Sequence, residues 1–362
     1  MGLRTLTLAL GTASAAFVAS PTGGHTAPQQ QQLAQPARLA AVSMAEPVIR
    51  LGTRGSPLAL AQAYETKKRL AEAFPDELSS DDAVEIKVIK TSGDMVLDKA
   101  LKDVGGKGLF TKELDVQLLN GGVDICVHSM KDVPTWLPEG TVLPCNMERE
   151  DTRDVFISPK ATSISGLPDG SVIGSASLRR QAQILAKNPT LKVVNFRGNV
   201  QTRLRKLDEG VVDATLLAYA GLRRMNMADC ATSILEQDEM LPAVAQGAIG
   251  IQCRSDDERS LRYIDALNHP ATKVCVDCER AFLARLDGNC KTPIAGQARI
   301  VDGAVEFRGL VAKPDGSEFY EVTRSGSIED AARIGDDAGL QIQKDAGMDF
   351  FTWLKQDAVA AD

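Results

Sequence analysis

A helix that stops at glycine, followed by Val-Asp and an apolar strand, occurs twice in this chain. GLFTKELDVQLLNGG leads into VDICVHS (123–129), and NVQTRLRKLDEG leads, one valine later, into VDATLLAY (212–219). Each copy follows a strand that enters a helix. VIRLGT passes through Arg54, Gly55, Ser56 and Pro57 into LALAQAYETKKRLAEAF, where the proline suits a first helical turn, and SVIGSAS enters LRRQAQILAKN. VEIKVIKTSGD and LKVVNF supply a further strand in each copy. Strands alternating with helices favour parallel sheets with ligands bound beyond the carboxyl ends of the strands. The repeat therefore predicts an α/β fold of two similar doubly wound lobes with a cleft between them.

The segment 241–254, LPAVAQGAIGIQCR, follows the second copy without starting a third, and reads as a return strand into the first lobe. From Ala271 the pattern changes. A helix to Leu286 precedes three antiparallel strands, QARIVDG, AVEFRGLVAK and EFYEVTRSG, with turns at Asp302-Gly303 and Asp315-Gly316, then a helix over about 328–345. The expected division is 46–150 with 242–268 as the first lobe, 151–241 as the second, and 269–362 as a small α+β domain.

Residues 1–45 contain no Asp or Glu. They carry an apolar run, Leu6 to Leu10, then ASAAFVAS and a Pro-, Gln-, Ala- and Ser-rich tract. The run is too short to span a bilayer, and this is targeting composition. A signal-like segment followed by a transit-like one containing Arg38 reads as a two-part leader to a plastid; a secretory signal is the alternative. The whole chain, 362 residues with 44% hydrophobic and 25% charged, is long enough for two or three domains. A net charge of −7 excludes general nucleic-acid affinity, which needs a basic face. Seven irregularly spaced cysteines do not make a disulfide scaffold. Cys275, Cys278, Cys290 and His269 lack zinc-ribbon spacing, and the first two fall within a helical pattern, so no metal is expected. The mature chain is expected to act as a monomer without stable membrane association.

Against that acidic background, the stretch from Ser177 to Leu207 holds eight basic residues and no acid. Arg179 and Arg180 begin a helix, and Arg197 leads through Gly198 into the helix that carries Arg203. Helix N-termini present unpaired N–H groups, and arginine grips carboxylates with two hydrogen bonds. Arg54, Ser56 and Lys107 come from the first lobe. Together they describe a cleft for a polyanion, and a multiple carboxylate fits it. Ser129, Lys131 and Asp132 lie where a strand runs out into a turn, while Cys290 sits in a Gly-containing loop, DGNCKTPI. A carboxylate, an ammonium and a thiol from separate segments suggest an enzyme site. His128, one position from that strand end, faces the opposite way and reads as structural.

Several of these segments resemble the porphobilinogen deaminase (hydroxymethylbilane synthase) family: LGTRGSPLALAQA (51–63), SGD (92–94), GGKGLF (105–110), VHSMKDVP (127–134), SLRRQAQ (177–183), FRGNVQTRL (196–204), AVAQGAIGI (243–251) and GNCKTPIAG (288–296). They occur in the family's order across Glu46–Asp362. Ala176, where a hydroxyl residue often stands, and Asn289, where Gly or Ser is common, depart from the pattern without removing a charged or nucleophilic group. The resemblance implies two lobes similar to periplasmic binding proteins plus the small third domain. It also implies a transferase of tetrapyrrole biosynthesis that joins four porphobilinogen molecules head to tail, releases ammonia and yields hydroxymethylbilane.

In that family a dipyrromethane cofactor is held by a thioether, which the motif match carries onto Cys290. The match makes Asp132 the catalytic residue, offsetting the cationic azafulvenium form of the substrate that loss of ammonia leaves. Asp132, Lys131, Ser129, Arg179, Arg180 and Ser177 are carried over as cofactor contacts. Arg54, Ser56, Asp94, Lys107, Arg197, Asn199, Arg203, Arg224 and Gln246 are carried over as substrate contacts. From the residues alone, a solute-binding protein with a cationic cleft, or another transferase for an anionic substrate, remains open. Neither would carry a permanent pyrrole adduct.

Overall fold

The computed structural model describes residues 47–95, 108–289 and 292–359, all within one compact unit, Ala45–Asp362. The leader lies outside them. Thirteen strands form three sheets among these residues. In the first lobe these are β1 (Ile49–Arg54), β2 (Val84–Ile89), β3 (Ile125–Ser129) and β4 (Thr141–Asn146). In the second they are β5 (Asp154–Ile157), β6 (Val172–Gly174), β7 (Lys192–Val194), β8 (Ala214–Ala218) and β9 (Ser233–Leu235). β10 (Ile249–Arg254) returns to the first, and β11 (Ile294–Val301), β12 (Ala304–Ala312) and β13 (Phe319–Ser327) follow.

The two lobe sheets have corresponding orders, β2-β1-β3-β10-β4 and β7-β6-β8-β5-β9. The Val-Asp repeat explains part of this. Asp124 accepts the backbone N–H of Arg50 at 2.8 Å and returns its own N–H to the Arg50 carbonyl at 2.8 Å; Asp213 does the same with Val172 at 2.7 and 2.8 Å. Each aspartate thus fastens the start of β3 or β8 to the start of β1 or β6.

The expectation of parallel sheets needs correction, because both are mixed. β1 runs parallel to β2 and β3, and β6 to β7 and β8. β10 is antiparallel to β3 and β4, and β5 to β8 and β9. β5 and β10 are the strands that enter a lobe just after the chain has crossed from the other, through residues 147–153 and 236–248. A strand arriving from outside the lobe has no crossover helix to turn it parallel.

Helices cover the sheets where periodicity places them. In Pro57–Ala73, Ala59, Ala63, Thr66 and Leu70 are buried at intervals of four, three and four, so a single stripe faces the sheet. The three-stranded antiparallel sheet β11-β12-β13 packs on the helix Pro270–Arg285. Asp302 and Gly303, both at positive φ, close its first hairpin as Asp-Gly turns require. The helix that begins at Ala331 meets a non-helical residue at Gly347, with φ of 75° and ψ of 165°, close to the expected end, and helical residues continue beyond that kink to Val359. The fully buried Glu279 fastens this third region to the crossing segments. It receives two hydrogen bonds from Arg149, at 2.7 and 2.9 Å, and the backbone N–H groups of Ala245 and Ala298.

Candidate active site

A cavity of about 640 Å³ opens between the lobes, lined by ends of β1, β3 and β8 and by the starts of three helices. Three polar residues singled out in the sequence cap those helices. Ser56 Oγ accepts from Ala59 N at 3.3 Å, Ser177 Oγ from Arg180 N at 3.4 Å, and Asn199 Oδ1 from Thr202 N at 2.9 Å. Three helix N-termini facing one space favour anions there. A larger groove of about 830 Å³ lies beside the crossing segments, but most of its charges pair with one another or with neighbours, as in Arg149–Glu279, Arg153–Asp151 and Arg308–Asp238.

The first lobe contributes the end of β3. There the chain turns through the 3₁₀ segment Met130–Asp132, which aims consecutive polar side chains at the cavity. Asp132 Oδ2 lies 3.8 Å from Arg54 Nη1, and its side chain keeps 27% exposure. Arg54 in turn stacks on the Phe110 ring at 4.2 Å. Ser129 Oγ accepts from Gln62 Nε2 at 2.9 Å. Lys131 Nζ donates to Gln246 Oε1 at 3.2 Å, and burial pushes its ammonium down to about 8 despite the adjacent Asp132 charge.

The second lobe contributes guanidinium groups. Arg179 and Arg180 share the buried carboxylate of Asp154: Arg179 Nη2 donates to Oδ2 at 2.8 Å, while Arg180 donates through Nη2 to Oδ1 at 2.8 Å and through Nε to Oδ2 at 3.1 Å. Burial would raise the carboxyl of Asp154, but the two guanidiniums overcome it and hold it well below the usual carboxylate range. Gln246 Nε2 also donates to Asp154 Oδ1 at 2.8 Å. A continuous chain of hydrogen bonds therefore joins Lys131 in the first lobe to both arginines in the second. Arg203 Nε donates to the Gly198 carbonyl at 2.9 Å; burial first, then repulsion from Arg180 and Arg197, lowers it to about 10. Among the described residues no carboxylate lies within ion-pairing distance of Arg203. Arg197 reaches the first lobe, its Nη2 lying 3.5 Å from the Gly93 carbonyl.

Of the residues singled out from the sequence, Arg54, Ser56, Ser129, Lys131, Asp132, Ser177, Arg179, Arg180, Arg197, Asn199, Arg203 and Gln246 line this cavity. Arg224 stands off its wall, bonded to Glu65 and to the Gly247 carbonyl. Lys107 and Cys290 lie outside the described residues, as does the side chain of Asp94, whose backbone belongs to the helix Ser92–Met95. Asn289 and Thr292, which bracket Cys290, both line the cavity. His128 is buried against Gln252 at 2.9 Å, and burial lowers its imidazole to about 4.

The sequence reading missed Asp154, which holds the paired arginines from behind, and Phe110, Val244 and Leu283, which line the cavity. Asp154 carried a usable signal, since an acid opening an otherwise apolar strand must find cations when buried. Phe110, Val244 and Leu283 carry none, because apolar wall and apolar core use the same residue types.

Two family models match this chain. "Porphobilinogen deaminase, dipyromethane cofactor binding domain" covers residues 49–262, and "Porphobilinogen deaminase, C-terminal domain" covers 273–344. Among curated proteins, "Porphobilinogen deaminase, chloroplastic" of Oryza sativa subsp. japonica is 63% identical over 311 residues, spanning 85% of this chain and 87% of its own. "Porphobilinogen deaminase" of Nitrobacter winogradskyi is 55% identical over 302 residues, spanning 83% and 95%. Among solved structures, a periplasmic substrate-binding protein of an ABC transporter from Coxiella burnetii overlays with a TM-score of 0.39 at 16% identity, covering 62% of this chain and 94% of that one.

Proposed function

This chain belongs to the porphobilinogen deaminase family, and from that premise we propose how its own residues carry out the family's reaction. The activity is that of a hydroxymethylbilane synthase, a transferase of tetrapyrrole biosynthesis. It condenses four porphobilinogen molecules head to tail with release of ammonia, and carries a dipyrromethane cofactor.

The reading of the site rests on one observation: both described neighbours of Cys290, Asn289 and Thr292, line the same cavity as Asp132. The cavity also fits a carboxylate-bearing group chemically, because capped helix ends and guanidiniums surround it. Cys290 would be the attachment point, its thiolate forming the C–S bond of a stable thioether as ammonia leaves the aminomethyl carbon of a pyrrole. Ser129, Lys131, Ser177, Arg179 and Arg180 hold the cofactor. When bound, it supplies the pyrrole terminus to which each incoming ring is joined.

Asp132 is the catalytic residue. Its half-buried carboxylate accepts the pyrrole N–H of the substrate and offsets the positive charge that develops as ammonia leaves. Lys131, still protonated at neutral pH, pairs with a substrate or cofactor carboxylate. Arg54, Ser56, Arg197, Asn199, Arg203 and Gln246 receive the acetate and propionate groups, with Asp94 and Lys107 added from the family match. Arg203, desolvated and beside two other guanidiniums, gains most from an arriving anion.

Intact-protein mass tests this reading. Mature protein should carry an adduct of two pyrrole units and, given stoichiometric porphobilinogen, a ladder of single-ring increments. Cys290→Ser should fold, carry little adduct and turn over almost nothing, because a hydroxyl is far less ionised than a thiol. Full loading of that variant at another residue would sink the assignment.

The domain division given above, 46–150 with 242–268, 151–241 and 269–362, is retained as part of this proposal, as is action as a monomer. Relatives from Oryza sativa and Pisum sativum are named chloroplastic, which supports a plastid destination; a signal-like then transit-like leader in residues 1–45 is retained as part of the proposal. No helix among the described residues is long and apolar enough to cross a membrane.

A further inference from the structure

The lobes join through two crossing segments, 147–153 and 236–248, and rotation about them would change the cavity width. One pair of side chains ties the lobes directly beside those segments. Arg224 ends the second-lobe helix Tyr219–Arg224, and Glu65 lies in the first-lobe helix Pro57–Ala73. Arg224 Nε donates to Glu65 Oε2 at 3.2 Å, and Nη2 donates to the Gly247 carbonyl at 3.0 Å. Arg69, one turn along, donates to the other oxygen of Glu65 at 3.2 Å and so orients it. Arg223 meets Glu150 of the other crossing segment at 2.8 Å.

The segments touch at this point. Gly247 has a φ of +88°, and a Cβ there would stand 2.4 Å from the Glu150 carbonyl oxygen. Gly221, on the same helix as Arg224, lets that helix approach Leu58, which a Cβ would meet at 3.4 Å. The Arg224 side chain is 8% exposed, so solvent screens its ion pair far less than a surface pair.

We propose that Glu65 is a positioning residue: with Arg224 it forms a strut that holds Arg180, Arg197 and Arg203 at the distance from Asp132 and Lys131 that a carboxylate-bearing substrate spans. This rests on the deaminase reading of the cavity. Arg224 then acts on the substrate through the spacing of the lobes, without touching it. Cutting the strut lowers the fraction of molecules at the competent spacing, and apparent affinity falls by that fraction. A substrate gripped from both sides still draws the lobes together, so the bound complex reacts at nearly the original rate.

The test uses mature protein with its cofactor attached, as Glu65→Ala, Arg224→Met and the double variant. KM for porphobilinogen should rise about three- to tenfold in each single variant with kcat within about twofold, and the double should be no worse than the worse single. Increases that multiply in the double variant would mean that Arg224 touches substrate independently of Glu65, and would overturn the proposal; so would an unchanged KM in Glu65→Ala. The isosteric Glu65→Gln covers a failure of the larger truncations to fold. In each substrate-free variant, amide hydrogen exchange across 219–224 and 245–248 should quicken relative to wild type. Unchanged exchange there would also overturn the strut. A wild-type protein without a pyrrole adduct would overturn the deaminase reading alone, because the exchange result does not depend on it.

Discussion

The two walls of the cavity hold their charges in opposite ways. On the first-lobe wall, Asp132 stays 27% exposed, with Arg54 at the distant end of ion-pairing range. On the second-lobe wall, Arg179 and Arg180 are buried and locked onto Asp154 by bonds of 2.8 Å. On the proposed reading of the site, the difference separates two kinds of functional charge. A group that must meet charge as it develops during a reaction is kept available, whereas groups that receive a permanent anion can be preorganised by an internal counterion. The second wall is thus part of the core of its lobe, and the first is not.

If that contrast holds, removing Asp154 should cost stability and removing Asp132 should cost rate. Asp154→Ala leaves two buried guanidiniums without their anion. By analogy with other buried pairs it should lose about 3–5 kcal/mol of unfolding free energy, read from denaturant midpoints. A loss below about 1 kcal/mol would erase the distinction between the walls. Asp132→Asn should leave the denaturation midpoint nearly unchanged and lower kcat about a hundredfold in cofactor-loaded protein. Near-normal turnover there would remove Asp132 from the chemistry.

The smallest effect concerns Lys131, the first-wall group nearest to being locked. Its folded value of about 8 lies below its ordinary 10.5. Between those values the unfolded chain binds more protons than the folded one, so stability rises with pH in that window. Lys131→Met should flatten the rise between pH 8 and 10.5 in thermal melts. An identical profile in both proteins would mean that burial does not strain this ammonium.

Much of the site was legible because its signals are local. Ser56, Ser177 and Asn199 each precede a helix by one residue, and a cap is satisfied three residues away, so the sequence predicts both the helix start and the polar atom beside it. The strand end at Ser129 was readable from equally local signals. Asp154 and Arg224 were not. Asp154 finds its partners 25, 26 and 92 residues along the chain, and Arg224 finds Glu65 at a separation of 159. Arg224 reads in sequence like the cavity arginines around it, and only its position behind the wall separates them.

Sequence by itself determined the two-lobe repeat, the helix starts that face the cleft and the small antiparallel domain. All of these follow from periodicity, turn residues and neighbours within a few positions. The tertiary structure decided that β5 and β10 enter their sheets antiparallel, that Asp154 anchors the paired arginines, and that Arg224 bonds to Glu65 across the lobes. Each of these depends on where distant segments meet, and burial gives a charge its energy only once that meeting has excluded water.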